Sequence, residues 1–290
     1  MKRLTKKLWS QSSIASEERQ YVREIRKSRP LKVRNYRSLV KKVAEIAFNN
    51  PELALFYRGQ QREYKSRIYG TSIYPAIYRK KSDSRKSREY LEERYAILDK
   101  ADDLLIKEFE KNGLGGTPVL RKFPEVSWAI LQHYEICDTP LLDITHSLRV
   151  ACSFALHNAD TSGTVYVLGM PHTNGSISYY ADEEQINLRL LSICPPAAMR
   201  PHFQEGYLVG TFPSYQPGPR SVQFDVARRL VAKFEIPKSG FWDRNFHEIP
   251  RKALIPANDK MEVSARSIYS DLKTWSSNKG FQPSLLTTRG

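Results

Sequence analysis

The sequence predicts an α+β fold in which mixed or antiparallel central sheets are flanked by helices. Apolar residues at helical spacing alternate with short apolar runs rich in β-branched and aromatic residues. These segments lack the regular strand–helix–strand spacing of a doubly wound parallel sheet. The 290 residues are 40% hydrophobic and 11% aromatic, which is enough to bury a core. A basic start sets residues 1–50 apart as a mostly helical extension, and residues 51–290 are predicted to form the main domain.

The individual helices and strands follow from the spacing of apolar residues. An apolar stripe from Tyr36 to Phe48 predicts a helix that Asn49-Asn50-Pro51 ends. Further helices are predicted over residues 89–112, 126–134, 148–156, 182–193 and 262–275. Strands are predicted over residues 53–57, 141–145, 164–168, 206–212 and 230–236.

The net charge of +15 is concentrated in the first third of the chain. Residues 1–50 carry 14 Lys and Arg against 4 Asp and Glu, and residues 62–100 carry 11 against 6. The last 190 residues balance at 20 against 20. Such asymmetry is typical of proteins that bind a polyanion, so we expect nucleic acid or an acidic partner to bind through residues 1–50 and 62–100. A solubilising face is the alternative interpretation.

Four tyrosines are interleaved with cations in the second basic segment: Tyr64, Tyr69, Tyr74 and Tyr78. Aromatic rings among cations stack bases while the charges hold phosphates. The alternative is that these rings line a half-buried surface.

Composition also excludes several classes of protein. Cys137, Cys152 and Cys194 lie far apart without a C-x-x-C pair, which argues against a zinc site or a disulfide framework. No run approaches the roughly 18 apolar residues of a membrane span, and no signal peptide is predicted. We therefore expect a cytoplasmic protein that uses no metal and binds no membrane.

The first candidate cluster is Phe56-Tyr57-Arg58-Gly59-Gln60, at the end of a predicted strand. Arginine carries a fixed fork of N–H donors that suits phosphate or carboxylate. Gly59 lacks a Cβ, so a ligand or another backbone can approach it closely. The alternative is a strand end whose arginine is solvated or paired with a structural carboxylate.

The second cluster combines Gln132-His133-Tyr134 with the strand that ends at Asp143 and Thr145. Alternation along a strand places Asp143 and Thr145 on the same face. Ser147 then suits the N-cap of the next helix, whose free N–H groups favour an anion. In the structural interpretation, Ser147 only caps and Asp143 only braces a loop. A triad of Ser147, His133 and Asp143 lacks a nucleophile-elbow signature.

The third cluster, Met199 to Tyr207, combines a cation, an amide and a carboxylate before a strand. Arg200 and Gln204 suit a polar ligand, and Glu205 is a candidate to orient a hydroxyl or act as a base. Alternatively, Gln204 bridges two loops through backbone hydrogen bonds.

These motifs, in this order, resemble the FRG-domain family, which is named for its Phe/Tyr-Arg-Gly motif. Residues 56–60 match that opening motif, and residues 131–134 and 139–145 are similar to the family's Gln-His-His/Tyr segment and its Pro-Thr-x-Leu-Leu-Asp-Trp-Thr strand. Residues 200–206 are similar to its Arg-x-x-x-Gln-x-Gly. The chain departs from the pattern at Glu135, where glycine is usual, and at Ile144, where tryptophan is usual.

The resemblance implies an FRG domain over residues 51–290 and a setting in antiviral defence or toxicity. A second resemblance is to ADP-ribosyltransferases of the Arg-Ser-Glu type, although Gln204-Glu205 differs from the Gln-x-Glu of those enzymes. It implies an ADP-ribosyltransferase-like core with NAD as cofactor and Arg58 on an NAD phosphate. The remaining expected site residues are Thr145 or Ser147 on the nicotinamide-side strand, Gln204 or Glu205 at the nicotinamide ribose or acceptor, and Gly59, Gln60, His133, Asp143 and Arg200 as cofactor contacts.

Three functions follow from these residues. The first is a defence or toxin effector that binds NAD, modifies nucleic acid or protein and is restrained by a partner protein. The second is a non-catalytic module that binds a nucleotide or nucleic acid in a defence complex. A hydrolase or nuclease ranks last, because the sequence shows no clustered carboxylates of the metal-site type.

Overall fold

The computed structural model describes residues 1–79, 87–212 and 224–281 of the chain. The α+β class is confirmed, since a large mixed sheet is flanked by helices. Residues 80–86 of the predicted basic segment 62–100 lie outside the described ranges. Within those ranges, no helix is both long and apolar enough to cross a membrane.

The strands of the described ranges are β1 (Leu31–Lys32), β2 (Ala54–Gln60), β3 (Lys65–Ser66), β4 (Gly70–Thr71), β5 (Leu142–Thr145), β6 (Ser162–Met170), β7 (Ile177–Tyr180), β8 (Gln185–Arg189), β9 (Gly206–Thr211) and β10 (Leu230–Pro237). Eight of these strands form one sheet in the order β1-β10-β6-β2-β5-β9-β8-β7. β1 runs parallel to β10, and the other neighbours are antiparallel. β3 and β4 form a separate hairpin.

The α-helices of the described ranges are α1 (Ser13–Ser16), α2 (Val22–Lys27), α3 (Tyr36–Asn49), α4 (Ser87–Lys111), α5 (Thr117–Lys122), α6 (Pro124–His133), α7 (Leu148–Leu156), α8 (Leu190–Ile193), α9 (Arg200–Gln204), α10 (Arg251–Leu254) and α11 (Lys260–Asn278). The predicted cap is confirmed, because the Ser147 hydroxyl accepts from the Val150 N–H at the start of α7. Apolar side chains of α4, α6 and α11 form one core cluster, and α3 and α7 pack in another with β2, β6 and β10.

The helix predicted over residues 182–193 is wrong over most of its length. Gln185–Arg189 is β8, and the helical part is Leu190–Ile193. This segment is rich in helix-forming residues, but pairing with β7 and β9 overrides that local preference. Both faces of β8 are buried, and the Gln185 amide donates to Asn187 Oδ1 (2.6 Å). Gln185 to Arg189 nevertheless alternates polar and apolar residues as a strand does, so the strand pattern was present in the sequence and the helical prediction passed over it.

The first candidate cluster lies inside the sheet and not beyond a strand end. β2 continues three residues past the predicted end at Tyr57, and Arg58 and Gly59 pair with Tyr166 and Val165 of β6. A Cβ built on Gly59 would lie 1.8 Å from the Ala151 carbonyl oxygen of α7. Close packing of this helix on β2 therefore requires glycine at position 59, whatever the ligand.

The first fifty residues pack into the same core as the sheet. β1 pairs with β10, and the buried side chains of Val22, Ile25 and Leu39 belong to the core cluster that contains Phe234. Deleting this segment would expose that apolar surface. Its basic side chains are therefore best tested by single substitutions.

Candidate functional site

The candidate site is a cleft that opens where two neighbouring strands separate. Among the described residues, β2 and β5 hold one register pair, Tyr57 opposite Thr145. Towards Gln60 and Leu142 the two strands diverge, although each stays paired on its other side. The cleft encloses about 450 Å³. Its polar lining comes from distant parts of the chain: Arg58, Gln60, Gln132, His133, Glu135, Asp143, Thr145, Arg200 and Gln204.

Arg58 spans the gap between the strands. Its Nη1 donates to the backbone oxygen of Asp143 (2.6 Å). Its Nε is buried without a hydrogen-bond partner, and no ion pair to Arg58 occurs among the residues described. Burial, together with the charge of Arg79, lowers the pKa of Arg58 to about 10, so the side chain stays cationic at neutral pH. The side chain as a whole is half-buried, and the charge of Asp143 offsets part of its desolvation without an ion pair between the two. A cation in this position favours an anionic ligand.

Asp143 is engaged within the protein. Its Oδ1 accepts from His133 Nδ1 (3.0 Å), and its Oδ2 accepts from the Gln132 amide (3.0 Å). Burial alone would raise the pKa of Asp143. The hydrogen bond and charge of His133, the charge of Arg58 and the hydrogen bond of Gln132 outweigh burial and hold this pKa below its usual range. The ionised carboxylate thus fixes the end of α6 against β5.

The third cluster reaches the cleft, but its side chains also have structural partners. Arg200 Nη2 donates to Glu262 Oε2 (2.6 Å), and Nη1 donates to the His133 carbonyl oxygen (3.2 Å). Gln204 donates to the Leu254 carbonyl oxygen (2.8 Å), which is the loop-bridging bond of the alternative interpretation. Both residues line the cleft while holding neighbouring segments in place.

Of the remaining predicted site residues, one lies in the cleft and two lie outside it. Thr145 lines the cleft, and its hydroxyl donates to the Gln204 carbonyl oxygen (2.7 Å). Ser147 caps α7 and is not among the lining residues, so the structure assembles no triad with His133. The Glu205 side chain is exposed and does not line the cleft. Burial lowers the pKa of His146, and the charge of Glu205 partly opposes that shift. The structure therefore brings together Arg58, Gly59, Gln60, His133, Asp143, Thr145, Arg200 and Gln204, and leaves Ser147 and Glu205 outside.

Glu135 is a lining residue that the sequence analysis did not select. It follows the last turn of α6 with a left-handed backbone (φ 53°), a conformation that favours glycine. Its exposed carboxylate has no hydrogen bond or ion pair to the described residues. The signal was present in the sequence, because a carboxylate stands where the resembled family usually has glycine.

Comparison with known proteins identifies the part of the chain that carries the cleft. Residues 54–163 match the family model of the FRG domain. The matched range begins with β2, ends in β6 and includes Arg58, His133 and Asp143, whereas Arg200 and Gln204 follow it. Searches of the curated proteins and of the solved structures found no match. The resemblance to ADP-ribosyltransferases therefore stays a prediction.

Proposed function

Since the chain contains an FRG domain at residues 54–163, we propose that its cleft binds NAD and that the protein transfers ADP-ribose to nucleic acid or protein, as a defence or toxin effector. The observation that carries the proposal is Arg58, a half-buried cation in the cleft that forms no ion pair with the described residues. The cleft volume of about 450 Å³ lies in the range of small-molecule sites. A phosphate on the free donors of Arg58 would satisfy both its charge and its orphaned Nε.

The chemistry also calls for a carboxylate near the ribose. Breaking the bond between ribose and nicotinamide develops positive charge on the ribose, which a nearby carboxylate stabilises. Two carboxylates line the cleft among the described residues, Asp143 and Glu135. Both oxygens of Asp143 already accept hydrogen bonds, whereas the Glu135 carboxylate has no partner in the part of the chain that the structure describes. This difference favours Glu135 over Asp143 for the role, and Glu205 lies outside the cleft lining.

Incubation of the purified protein with NAD tests the proposal. We expect release of nicotinamide and, with a suitable acceptor present, a mass increase of one ADP-ribosyl group by mass spectrometry. Absence of both nicotinamide release and NAD binding would remove the proposed function.

Replacing Glu135 with glycine should separate stability from activity. Glycine relieves the left-handed backbone, so we expect stability to rise by about 0.5–1 kcal/mol while nicotinamide release falls. Glu17 is a matched control: it is also exposed and left-handed (φ 60°), but it lies in the N-terminal segment outside the cleft. Glu17→Gly should give a similar stability gain with unchanged release. If Glu205→Gly loses nicotinamide release while Glu135→Gly keeps full activity, Glu205 is the catalytic carboxylate, as the sequence analysis expected, and the choice of Glu135 is wrong.

A second candidate function is a module that binds a nucleotide without transforming it. The structural partners of Asp143, Arg200 and Gln204 favour this reading, because they leave few lining groups free to move protons. Calorimetric binding of NAD or ADP-ribose without any nicotinamide release would select it.

A further inference from the structure

The fold brings the two basic segments of the sequence together beside the cleft. α2 packs against the β3–β4 hairpin, where Arg26 Nε donates to the Thr71 carbonyl oxygen (2.8 Å) and the Thr71 hydroxyl donates to the Arg26 carbonyl oxygen (3.0 Å). A Cβ on Gly70 would lie 2.4 Å from that same Arg26 oxygen. Cations from residues 1–50 and from residues 62–79 therefore share one surface.

A buried network holds the base of this hairpin. Lys233 is 0% exposed, and its Nζ donates to Glu63 Oε1 (2.5 Å), the Thr71 hydroxyl (2.6 Å) and the Arg26 carbonyl oxygen (3.0 Å). Arg26 also forms a buried ion pair with Asp225. The acidic residue of the hairpin, Glu63, is thus neutralised from within by Lys233 and from the surface by Lys65, whose Nζ lies 2.9 Å from Glu63 Oε2. Arg62 and Arg67 form no ion pair with the described residues, so the outer surface of the hairpin keeps a net positive charge.

The outer surface of the hairpin exposes both rings and cations. Tyr64 is 50% exposed, Ile68 70% and Tyr69 38%, and the Arg62 guanidinium lies 5.2 Å from the Tyr64 ring centroid. Tyr64 also lines the cleft, so this surface continues into it. We call the following exposed residues the hairpin platform: Lys27, Arg62, Tyr64, Lys65, Arg67, Ile68 and Tyr69.

We propose that the hairpin platform binds single-stranded nucleic acid and leads one nucleotide to the mouth of the cleft. Cations interleaved with exposed tyrosines match a strand with one phosphate per base and accessible base faces. In a duplex the base faces are stacked and cannot contact the tyrosines. An acidic polypeptide lacks an aromatic base beside each negative charge. The inference rests on the proposed function in one respect, namely that the bound strand is the acceptor.

Fluorescence anisotropy with a labelled mixed-sequence 12-nucleotide strand, without NAD, tests the platform alone. We expect Arg62→Gln/Arg67→Gln to weaken binding about tenfold and to lower the slope of log affinity against log salt by about 1.4. Tyr64→Ala should weaken binding about tenfold with an unchanged slope. Arg121→Gln/Lys122→Gln removes two exposed charges on α5, away from the platform, and should change the affinity little. Thermal melts verify that every variant is folded.

The outcomes are distinct from those of the NAD assay. Equal affinity of Tyr64→Ala and wild type, or tighter binding to a matched duplex, would overturn the platform even if NAD is consumed. So would a lack of strand binding, or displacement of the strand by poly-glutamate at equal charge concentration. The protein could also bind the nucleic-acid strand through Tyr64 and Arg62 without consuming NAD. That result would support the platform as a binding surface and contradict only the role of the bound strand as acceptor.

Discussion

Replacing Arg58 with glutamine is expected to weaken NAD binding by about 30- to 150-fold, or about 2–3 kcal/mol. The loss follows from the removal of a charge-assisted contact to phosphate in a site where burial has already desolvated the cation. Arg58→Lys keeps the charge but not the planar fork, so we expect an intermediate loss. Isothermal titration calorimetry with NAD and with ADP-ribose measures both variants.

The matched control for this change is Arg121→Gln. Arg121 is 60% exposed and pairs with Glu110 on the surface, so its loss should leave affinity within about twofold. Because Arg58 also holds the Asp143 carbonyl oxygen, the binding data are compared with a melt of each variant. If Arg58→Gln is folded and binds NAD with wild-type affinity, Arg58 does not contribute to NAD binding and the proposed role of this side chain is wrong.

Gly59→Ala is expected to reduce the free energy of unfolding by about 3 kcal/mol or more, or to prevent folding. The added Cβ meets backbone atoms, with the Ala151 oxygen at 1.8 Å and the Ala155 nitrogen at 2.7 Å. No side-chain substitution on α7 can relieve a clash with its backbone. The helix would have to move away from β2, which removes apolar contacts across the core.

Gly115→Ala provides the comparison for Gly59→Ala, because nothing lies within 4 Å of a Cβ built there. Its effect on stability should stay within about 0.5 kcal/mol. Urea unfolding followed by circular dichroism measures both. A similarly small effect at position 59 would mean that α7 does not approach β2 as closely as described.

The parts of the fold that local pattern determines could be predicted from the sequence. The apolar stripe of α3 and the cap of α7 needed no knowledge of distant contacts. β8 was missed although Gln185 to Arg189 alternates polar and apolar residues, because the helix-forming residues around it favoured one continuous helix. Pairing with β7 and β9 decides between the two local signals, and that pairing cannot be read from the local sequence.

The candidate site was predictable in its residue types but not in its partnerships. Arginine, histidine and carboxylate motifs pointed to one cleft, and Arg58, Asp143 and Gln204 do line it together. The sequence did not show that His133 and Gln132 form hydrogen bonds with the Asp143 carboxylate. Nor did it show that the Gln204 amide donates to the Leu254 carbonyl oxygen, because both sets of partners depend on packing. Glu135 stood out in the sequence as a departure from the family pattern, but its place in the cleft depends on the chain path after α6.

A crystal structure of the protein soaked with NAD or ADP-ribose tests the central claim most directly. The account predicts a phosphate oxygen within hydrogen-bond distance of the Arg58 guanidinium, in the gap between β2 and β5. Ligand bound elsewhere on the protein, or a cleft that stays empty at saturating NAD, would contradict it.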